Sequence, residues 1–508
     1  MRKTFLISFV LMTAFGFFSL LFFLIHSPEL GRLSKLSDVI RGDSGEIINL
    51  RLTSSGHWRE PADINRIDPL LIEMLVAYED KRFWHHHGVD PYAIIRAFFS
   101  VAKSGKVYSG ASTLTMQTVK LMYPDLRSRT ISNKLKQVLF ALQLDAHWSK
   151  KEILEAYFTL APFGGNIEGV EAATQAWFQK EPKELTHTEA ALLVALPQSP
   201  ERRRPDLFPL AAFQAKTKVL ETISTRINLD LHKLEELKKE PLPVRLSRPK
   251  SIALHVEDRL IQNPNAVIET SINASWQRDL ISILSASVQK YEKPINIAGL
   301  IVERRTGLVK AYAGSSSYID NDRKGSVNYL TALRSPGSTL KPLIYAKALE
   351  RKLIEEGHIF KDSQIQRGGY TPSNFDKIFN GQVTLKEALT RSLNIPAIQT
   401  LELIGVNGFE NSLRTFIAQD IMQNYKSGLT AAVGGFYLSA ENLAEIYLEI
   451  ADPGHSSKLR FDTEEPELTS SHLINSNTSE KILRIMSQRN NIGKTELFKT
   501  GTSHNQQD

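Results

Sequence analysis

The residues best suited to chemistry form three short groups in the second half of the chain. Ser338 and Lys341 lie three positions apart, Ser392 and Asn394 follow, and Lys499–Thr502 has the sequence Lys-Thr-Gly-Thr. Residues i and i+3 of a helix share a face, so Lys341 can reach the Ser338 hydroxyl. A lysine can deprotonate a serine nucleophile if burial, or a second cation such as Lys499, keeps its amine neutral. The spacing therefore predicts nucleophilic acyl transfer by a serine.

The residues around Ser338 favour the same interpretation. Pro336 and Gly337 predict a turn after which a helix can begin, and a helix start favours developing negative charge. Ser-x-x-Lys alone more often marks a capping serine and a solvated lysine, whereas three groups in this order are far more specific. The three groups resemble the transpeptidase domain of penicillin-binding proteins, whose signatures include Ser-x-x-Lys and Lys-Thr-Gly.

This resemblance implies a role for each residue. Ser338 would attack the penultimate D-Ala carbonyl of a peptidoglycan stem, and Lys341 would deprotonate the attacking hydroxyl. Ser392 would relay a proton to the leaving D-Ala, and Asn394 would orient the peptide. The terminal carboxylate would be held by the segment that comprises Lys499, Thr500, Gly501 and Thr502. Backbone N–H groups of Ser338 and Thr502 would form the oxyanion hole.

A second set of motifs lies in the first half of the chain. Glu79–Gly88 combines carboxylates, aromatic residues and histidines, and is followed by Gly110–Gln117, Arg129–Lys134 and Lys150–Tyr157. From about residue 70 to residue 200 the chain resembles the glycosyltransferase family 51 domain of class A penicillin-binding proteins. The resemblance to the transpeptidase domain covers about residues 297 to 503, and Ala161–Asn166 resembles the 1C branch of the family.

For the first domain, the resemblance implies polymerisation of a lipid-linked glycan. Glu79 would take the proton of an attacking sugar 4-hydroxyl, and Lys120, Arg129 and Lys134 would hold the departing pyrophosphate. The other substrate-binding candidates are Asp80, His86, Ser112, Gln117, Gln137 and Glu155. Adjacent histidines on a helix point in different directions, so a structural or hydrogen-bonding His86 is favoured over a metal ligand, and no protein metal site is expected. No cofactor is required, although a divalent cation such as Mg2+ is compatible with a pyrophosphate site.

Two positions depart from the family pattern Arg-x-x-x-Arg-Lys-x-x-Glu. Asn133 stands in place of the second arginine, and Gln137 stands in place of the glutamate. A neutral amide donates and accepts hydrogen bonds, but it cannot transfer a proton as a carboxylate does. The resemblance therefore assigns proton transfer to Glu79 alone.

Helices are predicted to position the first set of residues. Ser149–Glu152 has the spacing of a capping box. Lys134 and Gln137 are i, i+3 neighbours on a face that can line a cleft. Another face of the same helix is predicted to be buried because its apolar residues recur at helical spacing: Ile131, Leu135, Val138, Leu139 and Leu142.

A multidomain fold follows from the length of 508 residues, which exceeds one ordinary core. The resemblance implies an all-α, lysozyme-like glycosyltransferase domain and an α+β, β-lactamase-like transpeptidase domain. In the latter, the apolar runs Gly299–Glu303 and Leu308–Tyr312 predict a hairpin. The expected divisions are residues 1–28 for an anchor, 29–225 for the glycosyltransferase, 226–290 for a linker and 291–508 for the transpeptidase.

Three further segments carry structural expectations. Leu237–Pro243 is typical of a linker or turn, and Arg202–Arg204 is typical of a solvated surface run rather than a phosphate site. The chain ends five residues after Ser503. We therefore expect a transpeptidase domain that is truncated after the Lys-Thr-Gly strand, with Lys499 on a strand without a neighbour.

The N-terminus predicts a membrane anchor. Phe5–Ile25 contains no charged residue and is long enough to cross a hydrocarbon layer of about 30 Å. Arg2 and Lys3 precede it, which predicts a short cytoplasmic start and periplasmic catalytic domains on the bacterial inner membrane. A cleaved signal peptide is the alternative, but no small-x-small cleavage site follows the apolar run. Ala93–Ala102 fits either a core helix or a segment that dips into the membrane.

Composition narrows the partners. The net charge of +7 suits anionic lipid head groups and a pyrophosphate. The chain has no recognisable nucleic-acid module, so nucleic acid is not an expected partner. The absence of cysteine excludes disulfides, thiolate zinc sites and a catalytic thiol.

Together these features predict a membrane-anchored, bifunctional peptidoglycan synthase. Its expected partners are lipid II and the nascent glycan strand, stem pentapeptides, β-lactams, the membrane and other cell-wall synthesis proteins. A lysozyme-like hydrolase with Glu79 in its cleft is one alternative, which the cations suited to pyrophosphate disfavour. A non-enzymatic β-lactam sensor or scaffold is the other.

Overall fold

The chain folds into two compact units. The computed structural model describes Phe23 and residues 25–93, 95–96, 112–128, 130–226, 229–367, 369–413, 416, 427–452, 458–462, 473–489 and 495–502. The first unit extends to Ile40 and includes Asn49–Ser251 and Ile261–Ile268; the second comprises Arg41–Ile48, Ile252–Leu260 and the chain from Glu269 onward.

Several predicted features lie outside the described residues. They include Arg129, nearly all of the predicted anchor and most of Ala93–Ala102. Within the described ranges, no helix is both long and apolar enough to cross a bilayer.

The first unit is mainly helical. Its α-helices are Pro69–Glu79, Leu114–Met122, Ile131–His147, Lys150–Leu160, Val170–Phe178, His187–Ala195, Pro209–Ile223 and Leu231–Lys239. The all-α expectation omitted short strands: Trp58–Arg59 pairs in parallel with Ile167–Glu168. Asp38–Arg41, Ile47–Arg51 and Val267–Glu269 are further short strands, and each includes residues assigned to both units. The strands were missed because runs of two to five residues give little periodic signal.

Side-chain caps start the helices that carry the first set of motifs. Asp68 accepts from the backbone N–H of Leu70, which begins the helix that ends at Glu79. Thr113 caps helix Leu114–Met122. The predicted capping box of Ser149 and Glu152 is confirmed, with both of its hydrogen bonds formed.

The predicted buried face of helix Ile131–His147 is wrong. Ile131 is 84% exposed and Leu135 is 60% exposed. The helix instead buries Gln137, Ala141, Gln143 and Leu144. Apolar periodicity shows that a helix has an apolar stripe, but it does not show whether protein or another apolar medium covers that stripe.

Residues 226–290 do not form a separate linker. Leu234 and Leu237 of helix Leu231–Lys239 are buried in the first unit. The buried Lys216 amine donates to the backbone carbonyls of Leu237, Lys238 and Glu240. Helix Ala274–Val288 belongs to the second unit. The Pro and charged residues of this region suggested a linker. Local composition does not reveal long-range packing of this kind, so the buried contacts could not be predicted.

The second unit has the expected mixture of helices and strands. Its helices are Leu254–Leu260, Ala274–Val288, Lys341–Glu350, Leu385–Thr390, Asn394–Ile404, Val406–Ser412, Ala440–Ala451 and Ser476–Met486. The predicted hairpin is confirmed as Gly299–Val302 paired antiparallel with Val309–Ala313. Ile359–Asp362 pairs with Gly381–Thr384.

Lys499 was expected on a strand without a neighbour, and the structure differs in both respects. Thr495–Leu497 pairs antiparallel with Ser487–Arg489, so this strand has a neighbour and ends before Lys499. Lys499–Thr502 continues without regular secondary structure among the described residues.

Candidate active sites

Ser338 lies in a tight turn at the start of a buried helix. The 3-10 turn Gly337–Leu340 leads directly into helix Lys341–Glu350, as the Pro-Gly pair predicts. Gly337 has a φ of +53°, and a Cβ atom there would lie 2.5 Å from the carbonyl oxygen of Thr502. Only glycine allows this approach. It brings the backbone of the Lys-Thr-Gly segment next to Ser338.

Lys341 is fully buried at the centre of this site. Its Nζ donates to the carbonyl oxygen of Ser392 at 2.6 Å and to Oδ1 of Asn394 at 2.7 Å. The Ser392 hydroxyl is 3.5 Å from the same nitrogen. The structure therefore brings together the first two predicted groups, although no hydrogen bond joins Lys341 to the Ser338 hydroxyl in the described chain.

Burial and a second cation favour the neutral form of Lys341. Desolvation first, and repulsion from Lys499 second, hold the pKa of Lys341 well below its usual range. Desolvation also lowers the pKa of Lys499 to about 8. Near neutral pH, the pair can therefore combine a neutral base with a cationic neighbour.

The Ser392 hydroxyl lies between the two lysines. Lys499 Nζ donates to Ser392 Oγ at 2.8 Å. Ser392 has a φ of +58°, the left-handed conformation that glycine usually provides after a helix such as Leu385–Thr390. The backbone N–H of Leu393 closes this helix end by donating to Ala388. A serine at a strained position delivers its hydroxyl to the site.

The rest of the Lys-Thr-Gly segment packs against the Ser338 turn. A Cβ atom on Gly501 would lie 2.6 Å from Cγ2 of Thr339 and 2.9 Å from the carbonyl of Pro336, which explains the glycine. Thr500 and Thr502 are exposed. Their side chains are therefore accessible to a substrate.

Glu79 is the centre of a separate site in the first unit. It ends helix Pro69–Glu79, and its carboxylate accepts from Nε2 of Gln117 at 2.9 Å and from Nε2 of Gln198 at 2.6 Å. Burial first, and the charge of Glu79 second, raise the pKa of the neighbouring Tyr157. That phenol therefore stays protonated at neutral pH.

A role in substrate binding would require Asp80 and His86 to line an open cleft, and they do not. Both are buried, and His86 Nε2 lies 2.9 Å from Oδ2 of Asp80. The same carboxylate oxygen accepts the backbone N–H of Leu114 at 2.9 Å. The pair therefore anchors the start of the helix that carries Gln117.

Lys134 and Ser112 form a polar group at the start of helix Ile131–His147. Lys134 Nζ donates to the Ser112 hydroxyl at 2.6 Å. Although the residue is exposed overall, burial of its ammonium lowers its pKa, and repulsion from Lys120 contributes less. The charges of the two lysines therefore interact.

The two departures from the family pattern stabilise the same backbone segment. Gln137 is buried and donates Nε2 to the carbonyl of Leu126 at 2.7 Å. Asn133 donates Nδ2 to the carbonyl of Asp125 at 3.0 Å and to the Ser128 hydroxyl at 2.6 Å. Both amides hold the 3-10 turn Pro124–Arg127, so Gln137 is not free to bind substrate through this group.

Glu155 also has a structural contact. Its carboxylate accepts the backbone N–H of Ile64 at 3.1 Å, at the start of the 3-10 turn Ile64–Arg66. The predicted substrate-binding role has no support from this contact.

Gln198 and Arg203 were missed by the sequence analysis. Arg203 donates to Oε1 of Gln198 at 3.0 Å, and Gln198 in turn donates to Glu79. Arg204 pairs with Asp206 at 2.6 Å. The interpretation of Arg202–Arg204 as a wholly solvated run is therefore wrong for the last two residues. The Pro-Gln-Ser-Pro sequence at 197–200 signals a turn, but it does not reveal that Glu79 lies beside it.

Comparison with known proteins finds one family match in each half of the chain. The family described as "Transglycosylase" matches residues 45–224, and the "Penicillin binding protein transpeptidase domain" matches residues 297–507. Penicillin-binding protein 1C of Escherichia coli is 35% identical over 465 residues, which cover 90% of this chain and 60% of that protein. Penicillin-binding protein 1F of Bacillus subtilis is 28% identical, over 84% of this chain and 61% of that protein.

The chain thus spans about three fifths of the length of these curated relatives. A crystal structure of penicillin-binding protein 1A from Haemophilus influenzae covers 91% of this chain and 80% of that chain, at 16% identity and a TM-score of 0.43. On the two sequence matches and the similarity to the 1C protein, the chain belongs to the class A penicillin-binding proteins.

Proposed function

We propose that this protein polymerises lipid II through its first unit and cross-links stem pentapeptides through its second. The observation that carries the proposal is the buried Lys341 amine, in contact with Ser392 and Asn394 and close to Lys499. A buried lysine of lowered pKa beside a serine hydroxyl is the arrangement that serine acyl transfer needs.

In the proposed acylation, Lys341 acts as a neutral amine. Its two hydrogens point to the Ser392 carbonyl and to Asn394, which leaves the lone pair to accept the Ser338 proton. Ser338 Oγ then bonds to the penultimate D-Ala carbonyl carbon, and the C–N bond to the last D-Ala breaks. The Ser392 hydroxyl passes a proton to the leaving amine and recovers one from Lys341.

Lys499 serves the terminal carboxylate of the peptide in this proposal. Its cation, with the hydroxyls of Thr500 and Thr502, fits a carboxylate at the open side of the site. An amine of a neighbouring stem then attacks the acyl-enzyme and releases Ser338. A β-lactam, whose leaving group stays attached, would remain bound to the serine.

In the first unit, Glu79 is the proposed base for the sugar 4-hydroxyl. Gln117 and Gln198 would aim its carboxylate, and Lys120, Lys134 and Arg129 would attract the departing pyrophosphate. Among the described residues, the side chains that hydrogen-bond to Lys134 are the Ser112 hydroxyl and the Gln137 amide, and neither is a carboxylate. A divalent cation here would therefore be held mainly by the pyrophosphate itself. No proposed step involves a metal or another cofactor.

We infer the periplasmic side of the inner membrane from Arg2 and Lys3, which precede the apolar N-terminal run. Two observations support attachment to the membrane with that run as a single anchor. Gln143 donates to the carbonyls of Phe23 and His26 at 2.7 and 2.9 Å, which holds the end of that run against the first unit. Ile131, Leu135 and Leu139 present exposed apolar surface on one helix face, which suits contact with lipid.

Labelling at Ser338 tests the second activity. Fluorescent penicillin should acylate the wild-type chain, and peptide mass spectrometry should locate the adduct on Ser338. Ser338→Ala should abolish the label, whereas Thr502→Ser, which keeps a hydroxyl, should retain it. Labelling that survives in a folded Ser338→Ala protein would refute the assignment. Labelling without cross-linked product from lipid II would favour the alternative of a sensor or scaffold.

A further inference from the structure

A buried carboxylate lies behind the Ser392–Asn394 turn. Asp362 is fully buried, and its two oxygens accept from Asn374 Nδ2, both at 2.9 Å. The backbone N–H and Nδ2 of Asn380 also donate to it, at 2.9 and 2.7 Å. No salt bridge reaches Asp362 within the described ranges, so amide groups alone stabilise this charge.

These contacts determine which way the Asn374 amide faces. Its Nδ2 donates to Asp362 and to the carbonyl of Ile378 at 2.8 Å, and its Oδ1 accepts the backbone N–H of Asn394 at 2.8 Å. A flipped amide would set its oxygen against a carboxylate and its NH2 group against another N–H. Asp362 therefore orients Asn374, and Asn374 holds Asn394.

The contacts continue to the proposed base. Asn394 donates Nδ2 to the carbonyl of Ser373 at 2.8 Å and accepts from Lys341 at 2.7 Å. We infer that Asn374 and Asp362 are positioning residues for acylation: they hold the left-handed Ser392–Asn394 turn so that its acceptors meet the Lys341 amine. The inference rests on the proposed role of Lys341.

An exchange of the two side chains tests this inference. Asn374→Asp opposes two carboxylates and should slow acylation by fluorescent penicillin roughly 100-fold through misplacement of the turn. Asp362→Asn should also slow it, because amide donors then face each other. In the double variant, the new amide at position 362 can donate to the new carboxylate at position 374, which still accepts the Asn394 N–H. The double variant should therefore be acylated at least about tenfold faster than Asn374→Asp.

The acylation rate constant at saturating penicillin should change, while the concentration for half-saturation should change little. Asn328→Asp is the matched control, because Asn328 also bridges a side chain and a backbone N–H in the second unit; its acylation rate should equal that of the wild type. Melting temperatures establish that each variant is folded at the assay temperature.

If the wild type is labelled, either of two results would overturn the inference. One is that both single variants acylate within about twofold of the wild-type rate, and the other is that a folded double variant is as slow as Asn374→Asp. If Asn374→Asp does not fold, Asn380→Ala replaces it, because it removes one donor to Asp362. Asn380 also accepts from Arg391 at 2.7 Å, so Arg391→Ala, which removes that contact alone, is its control and should keep the wild-type rate. Asn380→Ala should slow acylation at least about threefold, and an unchanged rate would overturn the inference. A wild type without label would instead refute the proposed function, and the inference with it.

Discussion

The pH dependence of acylation should report both lysines of the transpeptidase site. At low pH, Lys341 is protonated and cannot accept the Ser338 proton, so the rate should rise with pH as Lys341 loses its proton. Its lowered pKa places that rise well below the titration range of an ordinary lysine. At higher pH, Lys499 loses its charge and with it the attraction for the carboxylate of the penicillin.

The size of the alkaline decrease follows from the pKa of Lys499. With a value of about 8, about 90% of this group is charged at pH 7 and about 10% at pH 9. The acylation rate should therefore fall about tenfold between these pH values. The predicted profile is a bell whose alkaline side is centred near pH 8.

Lys499→Arg is the control for this assignment. A guanidinium stays charged up to a pH above about 12, so the alkaline decrease should disappear even if the maximal rate is lower. Lys499→Met removes the repulsion that acts on Lys341, and its acidic limb should move to higher pH. Acylation by fluorescent penicillin is timed from pH 5 to pH 10, with correction for hydrolysis of the free drug. An alkaline decrease that persists unchanged in Lys499→Arg would refute the reasoning.

Three further substitutions test other parts of the proposed mechanism. Glu79→Gln should lower polymerisation of labelled lipid II by about 100-fold or more, because only the base is lost, and should leave penicillin labelling unchanged; near wild-type polymerisation would exclude Glu79 as the base. Ser392→Gly and Ser392→Ala should both slow acylation, but the glycine variant should be more stable than the alanine variant by roughly 1 kcal/mol in thermal unfolding, because glycine tolerates a φ of +58°. Equal stability would argue against strain at this turn. Gln198→Leu should reduce polymerisation about tenfold through loss of one contact to Glu79, without loss of folding; an unchanged rate would show that Gln117 alone aims the carboxylate.

Local chemistry explains which features could be predicted from the sequence. The capping box at Ser149, the hairpin Gly299–Ala313 and the turn before Ser338 each depend on a few neighbouring residues, so their sequences suffice. The lowered pKa of Lys341 results first from burial and second from Lys499. Only the second cause could be predicted from the motifs, which place another lysine in the same site.

Long-range packing explains the features that sequence could not reveal. Gln198 contacts a carboxylate 119 positions away, and Asn374 acts on a turn 20 positions away; neither belongs to a recognised motif. Ile131 and Leu135 illustrate a different limit, since periodicity identifies an apolar face without naming the medium that covers it.

The most direct test of the central claim is product analysis from one substrate. Purified wild-type protein is incubated with labelled lipid II that carries pentapeptide stems, and the products are digested with a muramidase and separated. We predict long glycan strands that yield cross-linked dimers after digestion, only uncross-linked strands with Ser338→Ala, and neither strands nor dimers with Glu79→Gln. Glycan strands without dimers from the wild type, or dimers that persist in Ser338→Ala, would contradict the claim that this chain is a bifunctional synthase.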